Sequence, residues 1–123
     1  MGEVTKIEGL QRENDLLYNE KYYQNYNGEN YGRNEKWFSI FGNIADNIIE
    51  KIQPKTVLDI GCAYGLLVES LRDRGCKAFG IDVSDYALSR ARNDIVEYLS
   101  VDTILRPLSR KFDLIVTIEV IDI

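Results

Sequence analysis

Four carboxylates, Asp59, Asp82, Asp102 and Glu119, each fall at or just beyond the end of an apolar run, and the first is followed by Gly61 and Gly65. A carboxylate in such a place can meet a ligand cation or accept hydrogen bonds from hydroxyl and amino groups. The stretch Val57-Leu58-Asp59-Ile60-Gly61-Cys62-Ala63-Tyr64-Gly65 reads as a buried strand, an acid and a glycine turn, and an amphipathic run begins at Leu66. Backbone N–H groups at a helix start can receive a carboxylate, a phosphate or a ribose. The spacing is D-x-G-x-x-x-G, without the middle glycine of the dinucleotide fingerprint G-x-G-x-x-G. It makes a poor pyrophosphate cradle and suits a ligand that needs only a tight turn and an acid. Cys62, in the turn, is a conceivable nucleophile near a helix N-terminus. The chain has no histidine to activate it, and the thiol reads as the filling of a small position.

The elements that must position these groups alternate regularly. Trp37, Phe41, Ile44, Ile48 and Ile52, widened by Phe38, Ala45 and Ile49, form the stripe of a helix over 35–52, closed by Pro54. Strand one spans 56–60, a helix 66–74 stops at Gly75, strand two spans 77–81, and a second helix spans 85–93 with Ser84 as N-cap. Strand three is read at 96–101 and strand four at 112–118, the latter apolar enough for burial on both faces. Strand–helix–strand alternation implies a parallel α/β sheet with right-handed crossovers and the order 3-2-1-4. Ligands bind such sheets beyond the strands' carboxyl ends, where the order reverses. Asp82, about twenty residues past the glycine turn, is suited to accept from both hydroxyls of an adenosine ribose; capping the second helix is its plainer use. Residues 1–34 form a polar arm rich in Tyr and Asn, with a short helix around Asp15–Tyr23. The arm is either a terminal segment whose tyrosines pack on the domain or a lid that closes Tyr or Arg33 over the ligand.

Composition narrows the classes. With 45% hydrophobic and 28% charged residues over 123 positions, the chain is one ordinary globular domain. A net charge of −5 disfavours a nucleic-acid surface, and Arg90, Arg92, Arg106, Arg110 and Lys111 read as solvated charge. Absence of histidine excludes His triads and His metal sites, and Cys62 and Cys76 alone build no zinc site, so no metal is expected. The two cysteines read as reduced thiols of a cytoplasmic protein. No run is long enough to span a bilayer and no signal-peptide pattern opens the sequence, so no membrane partner is expected.

The D-x-G-x-x-x-G turn resembles motif I of class I S-adenosylmethionine-dependent methyltransferases. The segment Lys111-Phe112-Asp113-Leu114-Ile115-Val116-Thr117-Ile118-Glu119-Val120-Ile121-Asp122-Ile123 is similar to the strand-four signature of small-molecule members, F-D-L-I, apolar residues, then E-V-[LI]-E-H. The resemblance covers residues 56–123 and departs at Asp122-Ile123, where E-H is usual. It implies a Rossmann-like fold and S-adenosylmethionine as cofactor. It implies that Asp59 meets the donor's amino-acid end, that Gly61, Cys62 and Gly65 form the close-approach turn, and that Asp82 with Val83 takes the ribose. Asp102 with Thr103 falls where the family meets adenine, although a turn-forming Asp fits equally, and Glu119 completes the strand ends. No catalytic residue is assigned. The chain looks like the N-terminal, cofactor-binding half of such an enzyme, a sheet of about four strands, weak or inactive by itself toward an unknown methyl acceptor. The apolar edge of strand four would then recruit a second copy, giving a homodimer. A nicotinamide-dependent oxidoreductase fragment and a non-catalytic Rossmann-like interaction module are the alternatives.

Overall fold

The computed structural model describes residues 17–24, 31–102 and 110–118. Thr103, Arg106, Pro107, Glu119 and the start of the arm helix at Asp15 lie outside the described residues.

Four parallel strands, β1 (Thr56–Ile60), β2 (Lys77–Asp82), β3 (Leu99–Val101) and β4 (Leu114–Thr117), form one sheet in the order β3-β2-β1-β4. This is the expected order, with its reversal between β1 and β4. The helices are α1 (Glu20–Gln24), α2 (Glu35–Lys51), α3 (Leu66–Asp73) and α4 (Asp85–Ser89), with a 3-10 helix over Asn93–Tyr98. The core lies on one face of the sheet. Val57 and Ala78 are buried there against Ala45 and Ile48 of α2, Leu67, Val68 and Leu71 of α3, and Leu88 of α4, with Leu114 and Val116 packed against them. Asn34 caps α2 by accepting from the Trp37 N–H at 3.2 Å, and Ser84 caps α4 as expected, accepting from Ala87 N–H at 3.0 Å.

The structure corrects five expectations. The second helix ends at Ser89 rather than 93, and the strand read from Val96 begins only at Leu99. Between them Ile95 and Tyr98 recur at a gap of three, which suits the 3-10 repeat, and Ile95 is buried while Val96 is exposed. β-branched Ile95 and Val96 favour a strand locally, but packing Ile95 into the core wins. Strand four is four residues long, and alternate residues are exposed: Leu114 and Val116 pack on the core, while Ile115, on the opposite face, stays 46% exposed. Ile52 lies past the helix end and is 53% exposed rather than part of the buried stripe. Arg92, read as solvated charge on the second helix, lies beyond α4 and bridges Asp73 and Asp94.

Asp113, the acid of the F-D-L-I stretch, pins β4 to β1. Its carboxylate accepts from Lys55 and Thr56 N–H at 2.8 and 3.2 Å, and its own N–H donates to the Thr56 hydroxyl at 3.0 Å.

Candidate functional site

The site is built where β1 and β2 end. Asp59 of β1 registers with Gly80 of β2, so Asp59, Gly80 and Asp82 fall on one face of the sheet, the face the helices cover. Beyond Ile60 the chain turns back over β2: Gly61 and Cys62 N–H both donate to the Ile81 carbonyl, at 2.8 and 3.0 Å. This fold-back brings Cys62 onto Gly80 so closely that a Cβ on Gly80 would stand 2.7 Å from the Cys62 sulfur. Gly80 therefore has to be glycine for the turn to lie flat on the sheet, a requirement with no mark in the local sequence pattern. The turn passes through left-handed backbone at Gly61, Ala63 and Gly65, with φ of 79°, 51° and 73°. At Gly65, the N-cap of α3, a Cβ would also sit 2.9 Å from Ile95, so both the backbone angle and the space exclude a side chain.

Asp82 is buried and holds the turn in place. Its carboxylate accepts from Ala63 N–H at 2.7 Å and from Ser84 N–H at 2.8 Å. The first bond offsets part of the cost of the left-handed Ala63. Burial pushes the Asp82 carboxyl up from its ordinary range, against the N–H groups of Ser84, Ala63 and Val83, which pull it down. Asp59 is buried as well, and among the described residues its Oδ1 has no hydrogen-bond partner. Burial, and then the neighbouring Asp82 charge, push Asp59 up to about 8. The Cys62 thiol is pushed up by burial and by both acids, which makes it a poor nucleophile. Asp102, at the end of β3, is half-buried and its N–H donates to the Asp82 carbonyl at 3.0 Å. The structure thus brings Asp59, Asp82, Gly61, Cys62, Val83 and Gly65 together, with Asp102 on the adjacent strand end. Asp82 holds the turn through the Ala63 N–H and the approach to α4 through the Ser84 N–H, while Ser84 itself caps the helix. Thr103 and Glu119 are outside the described residues.

The arm packs over this turn. Tyr23 and Tyr31 are buried with Tyr64, Leu66 and Ala87, and Tyr18, Trp37 and Tyr86 pack against them. Ring centroids lie 5.2 Å apart for Tyr23–Tyr64 and 4.7 Å for Tyr31–Tyr64, within the range of favourable edge contacts. Tyr31 N–H donates to the Tyr23 carbonyl at 2.9 Å, and the Ser84 hydroxyl donates to the Tyr18 carbonyl. The Tyr23 hydroxyl is raised by burial and by Asp82, and Tyr31 by burial, with Cys62 and Asp59 adding to it. Aromatic residues of the arm therefore stand next to both acids. Tyr64 and Tyr86, on the turn and on α4, complete the cluster; nothing in their spacing marked them.

A parallel sheet reversing at β1/β4, with a glycine turn and acids at its strand ends, is a doubly wound, Rossmann-like arrangement that takes its ligand beyond the strands' carboxyl ends. Residues 31–122 match the methyltransferase domain family, and the chain belongs to it. This family uses S-adenosylmethionine as methyl donor. The ubiquinone biosynthesis O-methyltransferase of Nitrosomonas europaea is 33% identical over 88 residues, covering 65% of this chain and 37% of the relative. That of Azoarcus sp. is 49% identical over 43 residues, 35% of this chain and 18% of the relative. Among solved structures, DesVI of Streptomyces venezuelae superposes with a TM-score of 0.56 at 24% identity, over 71% of this chain and 38% of its own. The plantazolicin methyltransferase BpumL, solved with SAH, gives a TM-score of 0.55 at 20% identity, over 92% of this chain and 49% of its own. The chain thus spans well under half the length of the curated relatives it matches.

Proposed function

We propose that this chain binds S-adenosylmethionine across the carboxyl ends of β1, β2 and β3 and, within a complete methyltransferase, presents the donor methyl to an acceptor. The observation that carries the reading is the buried Asp59 Oδ1, which lacks a partner among the described residues, at the mouth of the glycine turn. An orphaned buried acceptor is costly, and a ligand ammonium would satisfy it. In this reading Asp59 takes the amino-acid end of the donor, Gly61, Cys62 and Gly65 line the turn, and Asp82 and Val83 take the ribose. Asp102 meets adenine, and Thr103 and Glu119, outside the described residues, are the remaining residues expected to meet the cofactor. When bound, the donor supplies a methyl group on a cationic sulfur that an acceptor displaces in line. The chain's part is to fix the donor and exclude water. The arm over 1–34 acts as the lid on the domain over 35–123, with Tyr23 and Tyr31 covering the acids.

A thermal-shift titration with S-adenosylmethionine, S-adenosylhomocysteine and NAD tests this. At one hundred times the dissociation constant the first two should stabilise by about 2.7 kcal/mol, with no effect of NAD. No shift with either sulfur ligand overturns the reading, and a shift with NAD alone supports the oxidoreductase alternative.

We further propose a homodimer through β4. This edge strand, Leu114-Ile115-Val116-Thr117, carries no charge, proline or bulge to guard it, and Ile115 is 46% exposed. Light scattering should find a dimer that Ile115→Lys dissociates; a stable monomer at high concentration overturns it. Both cysteines are buried and free, which fits a reducing, cytoplasmic compartment. No helix among the described residues is long and apolar enough to cross a membrane.

A further inference from the structure

We infer that Glu69 is a positioning residue that holds the aromatic arm down on the glycine turn through Arg33; the consequence for cofactor exchange rests on the cofactor reading above. Glu69 lies in the first turn of α3, directly after the glycine turn, and its N–H donates to the Gly65 carbonyl at 2.8 Å. Its carboxylate is therefore fixed by the same helix start that forms the site. It is also buried, at 8% exposure, which is unusual for a glutamate unless it is paired. The partner comes from the arm, 36 residues back in sequence: Arg33 donates from Nη1 to Oε1 at 2.7 Å and from Nη2 to Oε2 at 3.3 Å. A two-pronged guanidinium–carboxylate pair fixes orientation as well as distance.

Arg33 stands two residues after Tyr31, which packs on Tyr64, and immediately before Asn34, the cap of α2. The pair thus clamps the arm at the point where it joins the domain. Tyr31 in turn holds Tyr23 through the bond from its N–H to the Tyr23 carbonyl. The connection runs from Glu69 to Arg33, along the chain to Tyr31 and on to Tyr23, and both tyrosine rings meet Tyr64 of the glycine turn.

A second guanidinium makes the clamp separable from the fold. Arg92 approaches Glu69 Oε2 at 3.5 Å while its main bonds go to Asp73, at 2.7 and 2.9 Å, and to Asp94. If Arg33 is removed, Glu69 keeps a counter-charge, so α3 does not carry a bare buried carboxylate. If Arg92 is removed, Asp73, Asp94 and Glu69 all lose a partner. Arg33→Gln is therefore the variant that opens the arm without unfolding the domain. The charge-assisted pair holds the arm closed, but the Arg33 side chain is 30% exposed and solvent screens part of its effect. An opening equilibrium shifted about tenfold follows.

Two measurements on the full chain decide it. Hydrogen–deuterium exchange of the hydrogen-bonded Tyr23 and Tyr31 amides should quicken about tenfold in Arg33→Gln and in Glu69→Gln, with exchange of β1 and β2 unchanged. Arg33→Lys should recover part of the protection. S-adenosylhomocysteine should leave Arg33→Gln about tenfold faster than wild type. Arm exchange that is the same in wild type, Arg33→Gln and Glu69→Gln overturns the clamp. If S-adenosylhomocysteine binds none of the proteins, the cofactor reading fails, and faster arm exchange in the variants still supports the clamp.

Discussion

Binding of the donor should release a proton from Asp59. In the free protein the Asp59 carboxyl is raised from 3.8 to about 8, first by burial and then by the charge of Asp82, with Cys62 and Tyr31 the other titratable groups beside it. At pH 6 only about one molecule in a hundred then carries Asp59 ionised, two units below its midpoint. A ligand ammonium binds the ionised form, so at pH 6 it must offset about 2.7 kcal/mol of deprotonation, at about 1.36 kcal/mol per unit. The dissociation constant for S-adenosylhomocysteine should fall about tenfold per pH unit from 5.5 to 7, then level off as the ligand's own amino group begins to lose its proton near 7.7–8.0. Calorimetry in buffers of different ionisation enthalpy should count about one proton released per ligand at pH 6. Asp59→Asn should remove the slope and weaken binding at pH 7.5. Stability should move the other way. A carboxyl whose folded-state value lies above its unfolded one stabilises fully below about pH 4, and that contribution is lost as pH rises through about 8. Asp59→Asn, which carries no charge to bury, should therefore melt higher than wild type at pH 8. A dissociation constant that is flat from pH 5.5 to 7.5, with no proton released, would refute the assignment of Asp59 to the ligand cation.

Asp82 and Gly80 test the turn itself. Asp82→Ala leaves the Ala63 and Ser84 N–H groups without their acceptor, at about 1–3 kcal/mol for each group left buried. The melting temperature should fall and donor affinity should drop at least about tenfold; calorimetry showing unchanged affinity removes Asp82 from the ribose site. Gly80→Ala should destabilise by about 1–3 kcal/mol, the usual cost of overpacking, because its Cβ would meet the Cys62 Sγ at 2.7 Å and Cβ at 2.8 Å. Chemical denaturation measures this, and Cys62→Gly in the same chain should restore part of the loss if the clash is the cause.

The sheet was legible because its signals are local and agree with one another. Thr56–Ile60 is bounded by Pro54 and Gly61, and the observed strand has the same bounds as the expected one. Ser84 announces α4 through its cap, and Gly75 ends the α3 turn. The region 89–99 was not legible because its two preferences conflict. Ile95 and Val96 favour extended backbone, whereas Arg92, bonded to Asp73 and Asp94, fixes a turn that makes Ile95 drop into the core. Asp94 is two residues from Arg92, but Asp73 stands 19 residues back, and nothing in the local sequence pairs it with Arg92. The same holds for β4, whose apolar run states what the strand can bury and not what lies against it.

For the site, residue type and position along the strands were visible, and the relation between the acids was not. Four carboxylates at strand ends look equivalent in sequence. In the structure Asp82 has N–H groups from three residues to hold its charge, while Asp59, on the neighbouring strand and the same face, keeps one oxygen without a partner among the described residues. Two buried acids this close oppose each other's ionisation, and the one with backbone donors keeps its charge more easily. The better-supported acid therefore organises the turn, and the other keeps an acceptor that the proposed ligand ammonium would meet. That division follows from which strand end the chain folds back across at Ile81.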